Sequence, residues 1–351
     1  MERNVTNMRK RFTESRTYEE AYMIGKQRID DAIKIYDSYS NRGGDFIKRP
    51  CPFCGCEKYE NVESFQNRYG ISKCLKCSSL YVNPCPTQEV LNDYYNNYEC
   101  NTMLEKVYKE RAQKPENTIL DTRIETIISY INKIAKDNVN ILEVGCSNGS
   151  FLSRLRKRIQ DRGINKDITY IGVDANDNAV KACHDESITL ISSTIEDYLE
   201  STDTRFDIVW HSELIEHLID PYNVFKKINY VMNEGGYMIF TTPNSASVEM
   251  KNISYNVPRV LACNILPPMH LNAFSTNNIA HFVFRSGFFL VDISTPGQFD
   301  VEILEMEKEH LNNKYLLQIS KLTEEEKEMV QEILIMGEAS SHMQCIVMKE
   351  Y

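Results

Sequence analysis

From about residue 139 to the end, short apolar runs alternate with amphipathic stretches. The runs are "VNILEV", "TYIGVD", "ITLISS", "FDIVWHS", "GYMIFTTP", "FFLVDIS" and "MQCIVMK". Strands separated by helices predict a mostly parallel sheet covered on both faces. Seven strands, the last arriving late, fit an α/β fold with a doubly wound, Rossmann-like sheet. Upstream the period is helical. Residues 17 to about 40 carry Met23, Ile24, Ala32, Ile33 and Tyr36 as one apolar stripe, with Thr17 and Glu20 as a capping box. This predicts a helix packed on the body of the protein, ended by "NRGGD". Residues 87–136 read as two or three further helices.

Between these helical regions lies a cysteine-rich segment, residues 49–86. Cys51-Pro-Phe-Cys54 and Cys74-Leu-Lys-Cys77 are two C-x2-C knuckles with nineteen residues between them, the spacing of a zinc ribbon. Each knuckle places two thiolates on one tight turn, and two turns complete a tetrahedron around Zn²⁺. Four thiolates leave no open coordination position, so the expected zinc is structural. Cys56 competes for a ligand place, and Cys85 less so. The implied organisation is a helical segment (1–48), a ribbon (49–86), a helical connector or cap (87–137) and the sheet domain (138–351), with a substrate-facing insertion at about 245–280.

Charge and composition narrow the function. With 42% apolar and 26% charged residues, the chain reads as an ordinary soluble protein. A net charge of −10 argues against nucleic acid, which needs a basic footprint. The ribbon's Lys58, Arg68, Lys73 and Lys76 are offset by Glu57, Glu60 and Glu63. No run approaches the ~18 apolar residues of a membrane span, and the charged start lacks the apolar core of a secretory signal. The expected location is cytoplasmic, where eleven cysteines do not form a disulfide framework.

The chemistry concentrates in "ILEVGCSNGSFL", Ile141 to Leu152. Gly145 to Gly149 fits the G-x-S-x-G nucleophile elbow, but that elbow needs earlier buried strands and an oxyanion loop, and helices and cysteine knuckles precede it instead. A dinucleotide loop needs G-x-G-x-x-G, and Gly145, Ser147 and Ser150 fill those places incompletely. The segment resembles motif I of class I S-adenosylmethionine (SAM)-dependent methyltransferases, E/D-x-G-x-G-x-G, through Glu143, Gly145, Ser147 and Gly149, with serine in place of the middle glycine. The resemblance implies that this loop, Cys146 included, approaches the methionine and ribose parts of SAM, and that Ser147 is a small loop residue.

The same resemblance orders the segments downstream, over residues 139 to about 295. "YIGVDAN" ends on Asp174, which would grip the ribose hydroxyls, with Ala175 near the adenine. Thr194 and Ile195 would flank the adenine, with Glu196 or Asp197 accepting from its amine. His211 and Ser212 of "FDIVWHSELIEHL" would lie at the methionine end. The whole chain also resembles zinc-ribbon-bearing bacterial methyltransferases, many of which act on sugars of surface polysaccharides or on nucleotide-linked sugars. A small-molecule sugar or nucleotide-sugar acceptor follows as the expectation.

Methyl transfer to a hydroxyl needs the acceptor placed in line and its proton removed. His217 in "IEHL" and His270 in "LPPMHLNAFS" are the candidates; each is either catalytic or part of the scaffold. Sugar C-methyltransferases with similar ribbons carry "HEH" where this chain has "PMH", and their "GGSLR"-like segment is replaced by "STPGQFDVEIL". This favours oxygen over carbon as acceptor. Tyr255 and Arg259 are polar candidates in the insertion. An RNA methyltransferase and a non-enzymatic scaffold are the remaining alternatives. Residues 296–351 either complete the sheet or make a dimer contact.

Overall fold

The predicted first helix runs Tyr18–Tyr39 (α1) and buries Ile24, Ala32 and Ile35, one face at helical spacing. The computed structural model describes residues 18–112, 118–257, 265–297, 299–311 and 313–350. Thr17 of the expected capping box and Arg259 lie outside the described residues. A short pairing of Phe46–Ile47 with Cys85–Pro86 closes the base of the cysteine-rich segment. Within it, Tyr59–Phe65 (β1), Tyr69–Cys74 (β2) and Leu80–Val82 (β3) form an antiparallel meander. Helices Gln88–Asn97 (α2), Glu99–Ala112 (α3) and Thr118–Ile131 (α4) follow.

The main sheet begins with Asn138–Val144 (β4) and Ser150–Asp161 (α5). Val139, Ile141, Leu142 and Val144 are all buried, the near-continuous apolar run of a strand covered on both sides. Asp167–Asp174 (β5), Asp177–Lys181 (α6), Thr189–Ser192 (β6), Ile195–Ser201 (α7), Phe206–Ser212 (β7), Pro221–Val231 (α8) and Met232–Pro243 (β8) continue the alternation. α8 has Pro221 in its first turn and Asp220 accepting from the Asn223 amide, which sets its start sharply. Its buried face is Val224, Phe225, Ile228 and Val231.

Val248–Asn252 (α9) and Thr276–Arg285 (α10) precede Phe288–Ser294 (β9). Asp300–Met306 (α11) and Glu324–Met336 (α12) lead to His342–Lys349 (β10). Strand order is β9-β10-β8-β7-β4-β5-β6. β4 to β8 are parallel, and β10 runs antiparallel between β8 and β9. The fold is the doubly wound, seven-stranded sheet that the strand pattern predicts. Residues 342–349 complete it.

The cysteine-rich segment is built into this body. Asn272–Ala273 pairs with β3 as a fourth strand of the meander. Cys51, Phe53, Cys54, Cys74 and Tyr81 share one core with Phe225, Phe274 and Phe282. Arg49, half-buried, donates to the carbonyl of Leu271 at 3.1 Å and to Asn272 Oδ1 at 2.9 Å. No helix among the described residues is long and apolar enough to cross a membrane.

Candidate functional site

The loop after β4 is shaped by left-handed backbone. Gly145, Ser147 and Gly149 have φ of +75°, +50° and +73°. A side chain on Gly149 would meet Ile188 Cδ1 at 2.6 Å, whereas at Gly145 it would enter open space. Glycine is therefore favoured at both positions by their left-handed backbone, with Gly145 beside an open cradle and Gly149 close under the Ile188 and Leu190 side chains. Ser147 adopts the conformation that glycine adopts without strain, the physical content of its departure from the family pattern.

Asp174 ends β5 beside this loop. Its Oδ2 accepts from the Ser147 amide and its Oδ1 from the Asn176 amide, both at 2.8 Å. A carboxylate has about four acceptor positions, so each oxygen retains capacity for a ribose hydroxyl. Glu143 is buried, its Oε2 has no hydrogen-bond partner, and burial together with the Asp174 charge pushes its carboxyl well up. An open glycine cradle, a half-exposed carboxylate and an orphaned buried oxygen fit a nucleoside with an amino-acid tail. Ala175 and Thr194 are exposed at the neighbouring strand ends, and Ile195 is buried behind them. Thr194 caps α7, its hydroxyl donating to Asp197 Oδ2 at 2.7 Å. Cys146 is buried, and a side chain on Gly172 would lie 2.8 Å from its sulfur, so this thiol fills the space between β4 and β5.

His211 departs from expectation. Along β7 side chains alternate between faces. Trp210 stacks on Phe151 at 5.0 Å, while His211 stacks on Phe240 at 4.9 Å and meets Phe225 edge-on at 5.9 Å. Both its ring nitrogens lack partners, and burial takes its pKa down to about 3. Its ring is that of a neutral core histidine. Ser212 is half-buried: its hydroxyl accepts from Arg123 at 2.9 Å and pairs with Thr241 at 3.0 Å.

Around Ser212 the structure assembles a network that the sequence motifs do not announce. Glu213 lies 3.3 Å from His342 Nε2 and 3.9 Å from Arg123, and accepts from Thr241 at 2.8 Å. Burial alone would raise the Glu213 pKa, but His342, Arg123 and Thr241 bring it down to about 2. Burial would lower the His342 pKa, but the Glu213 carboxylate outweighs it and raises the ring. A raised histidine contributes stability that is complete below the unfolded pKa of ~6.5 and lost as pH rises through its folded value. Melting temperature should therefore show a decline as pH rises above about 6.5 that is absent in His342→Gln; identical profiles for the two proteins would remove this linkage.

A second cluster stands at the turn after β7. The His217 and His270 rings meet edge to face at 4.7 Å. His217 Nδ1 lies 3.1 Å from the Tyr95 hydroxyl, and its Nε2 lies 3.7 Å from Glu216 Oε1. Burial lowers the His217 pKa to about 4, so the ring is neutral near pH 7. The Glu216 carbonyl accepts from the amides of Leu271 and Asn272 at 2.7 and 3.1 Å, which fixes the His270 segment against this turn. Sequence reading found both histidines. It missed Glu216, which the acid in "IEHL" could have signalled, and Tyr95, for which no local motif exists. Tyr255 is half-buried against the core that contains Met250 and Met269.

The four knuckle sulfurs converge. Cys51–Cys77 and Cys54–Cys74 lie 3.6 and 3.5 Å apart, near the ~3.8 Å edge of a tetrahedron built on Zn–S bonds of about 2.3 Å. This group could hold a metal ion. Cys56 is half-buried and points its sulfur toward the Lys58 carbonyl, and Cys85 is buried near Arg49.

Residues 117–293, half of the chain, match the methyltransferase domain family, and the chain belongs to that family: its sheet and cofactor loop are those of a class I SAM-dependent methyltransferase domain. It is similar to the ubiquinone biosynthesis O-methyltransferase of Vibrio vulnificus, 26% identical over 137 residues, covering 37% of this chain and 54% of that one. The chain spans about half the length of the curated relatives it matches. Among solved structures, a SAM-dependent methyltransferase from Archaeoglobus fulgidus is 19% identical, covering 70% of this chain and 99% of that one, with a TM-score of 0.44. The plantazolicin methyltransferase BamL, solved with a desmethyl analogue and SAH, is 14% identical, covering 74% of this chain and 94% of that one, with a TM-score of 0.48.

Proposed function

We propose that the protein O-methylates a hydroxyl of a small polar molecule, a sugar or sugar-linked compound being the favoured acceptor. SAM supplies an activated methyl group. Asp174 would hold its ribose, and the backbone of residues 145–149 would lie against its methionine part. Thr194 and Ile195 would stand beside the adenine. Arg123 and Glu213 offer opposite charges to the carboxylate and ammonium of its tail. The observation that carries the acceptor assignment is the convergence of His217 and His270, two rings 4.7 Å apart on segments tied together through the Glu216 carbonyl. They hold the acceptor hydroxyl and help it lose its proton.

Oxygen as acceptor is supported by the O-methyltransferase names of the curated relatives. Those names also favour a second reading, a hydroxylated ring. The sugar reading draws on the cysteine cluster, to which we assign a structural zinc, and on the likeness of the whole chain to zinc-ribbon methyltransferases. The helical region before the sheet, which contributes Tyr95, then acts as a cap over the acceptor.

The test is methyl transfer from SAM to nucleotide sugars and to ortho-hydroxyphenols, read as product mass and SAH release. His270→Ala and His217→Ala should each lower kcat by roughly 10²–10⁴-fold while SAH affinity stays within about twofold. Turnover with phenols alone would replace the sugar reading with the second one. Full activity in both variants would remove the histidines from the reaction.

A further inference from the structure

We propose that Glu216, His217 and His270 form a second metal centre, separate from the cysteine cluster, which takes a divalent transition ion and through it binds adjacent hydroxyl oxygens of the acceptor. The inference deepens the proposed function, because it rests on these residues facing the acceptor. One ligand atom from each residue lies within 4.8 Å of the others. His217 Nε2 and Glu216 Oε1 are 3.7 Å apart, close to the ~3.4 Å edge of a tetrahedron with metal–ligand bonds of about 2.1 Å.

Three further features point to a cation. Glu216 is 1% exposed and its Oε1 has no hydrogen-bond partner, although an unpaired buried carboxylate is costly. Its other oxygen, Oε2, accepts from Thr242 Oγ1 at 2.9 Å, which turns Oε1 toward the histidines. His217 engages Tyr95 through Nδ1 at 3.1 Å, which leaves Nε2 as the nitrogen facing Glu216. Partners on the far side of each ligand are how metal sites fix ring and carboxylate orientation.

Two imidazoles and one carboxylate suit a divalent first-row ion, and three protein ligands leave coordination positions open. Two adjacent hydroxyl groups would fill such positions as a chelating pair. The class of acceptor this implies is a vicinal diol, whether on a sugar or on an aromatic ring, and a lone hydroxyl would bind less well. The cysteine cluster, with four sulfurs of its own, offers no such open place.

The test uses the full chain with its cysteine cluster preloaded with zinc. Co²⁺ is titrated in, and visible absorption is recorded. The expected result is one further equivalent, with weak nitrogen- and oxygen-ligand bands and no thiolate-to-cobalt charge transfer. Glu216→Gln and His270→Ala should each lose that equivalent at concentrations that saturate the wild type. SAH affinity, measured on the same samples, reports the cofactor site and the folded state. No extra Co²⁺ in the wild type, or equal uptake by the variants, overturns the second centre and leaves the histidines as an uncomplexed pair. Failure of SAH to bind the wild type would instead strike at the methyltransferase reading, whatever the cobalt result.

Discussion

Asp174→Ala should weaken SAH binding by about 10²–10³-fold. The Asp174 carboxylate is the acid at the end of β5, and both its oxygens already accept backbone amides, from Ser147 and Asn176 at 2.8 Å. It therefore shapes the loop after β4, and in the proposed role its remaining lone pairs would meet the ribose. A hydrogen bond to a charged group contributes about 1.5–3 kcal/mol. Losing two of them costs ~3–6 kcal/mol, and the lower end of that converts to this range of affinity. Asp174→Asn keeps one acceptor oxygen and the side-chain volume, so it should fall between, nearer the wild type. Titration calorimetry with SAH reads the effect, and a thermal melt on each variant separates lost binding from lost structure. If folded Asp174→Ala bound SAH as the wild type does, the nucleoside would have to sit elsewhere, and the reading of the loop would fall with it.

The strand–loop–strand unit that ends on Asp174 was legible because it is local in the chain. A buried strand, a left-handed loop and a second strand ending in an acid occupy residues 138–174, and each piece carries its own pattern. His211 shows where position along a motif stops informing. It sits inside the segment that the motif marks, but its side chain lies in the core against Phe240. The cluster proposed for the acceptor is less legible still. Tyr95, Glu216, His217 and His270 come from three distant segments, joined by backbone contacts such as Leu271 to Glu216 that no local periodicity encodes. Arg123 and His342 come from the helix before the sheet and the last strand, so their convergence on Glu213 is a product of topology. The pairing of Asn272–Ala273 with β3 is of the same kind: two residues are too few to show a strand pattern. That pairing also joins the cysteine-rich segment to the body of the fold, next to the segment that carries His270.

That integration makes metal removal a global perturbation. Phe53, between the first two knuckle cysteines, packs on Phe274 with centroids 4.7 Å apart and on Phe282 at 6.2 Å. Phe225 of α8 in turn meets Phe282 at 4.9 Å. Loss of the ion would leave four thiols at separations set by coordination, loosen Phe53, and open the aromatic core that supports α8 and α10. Structural zinc binding contributes about 10–16 kcal/mol in small zinc peptides. Here the sheet has a core of its own, so a smaller share should be lost. A loss of ~3 kcal/mol already lowers the melting temperature by roughly 6–12 °C in a domain of this size. Cys54→Ser should show such a drop, and also a fall from one tightly held zinc per chain. Because it leaves Glu216, His217 and His270 intact, it separates the two proposed centres more cleanly than a chelator does. The His270 segment adjoins the Asn272–Ala273 strand, so Cys54→Ser should depress methyl transfer more than SAH affinity. Equal melting temperatures for Cys54→Ser and the wild type, with zinc verified in the latter, would show that the four cysteines brace nothing beyond their own loops.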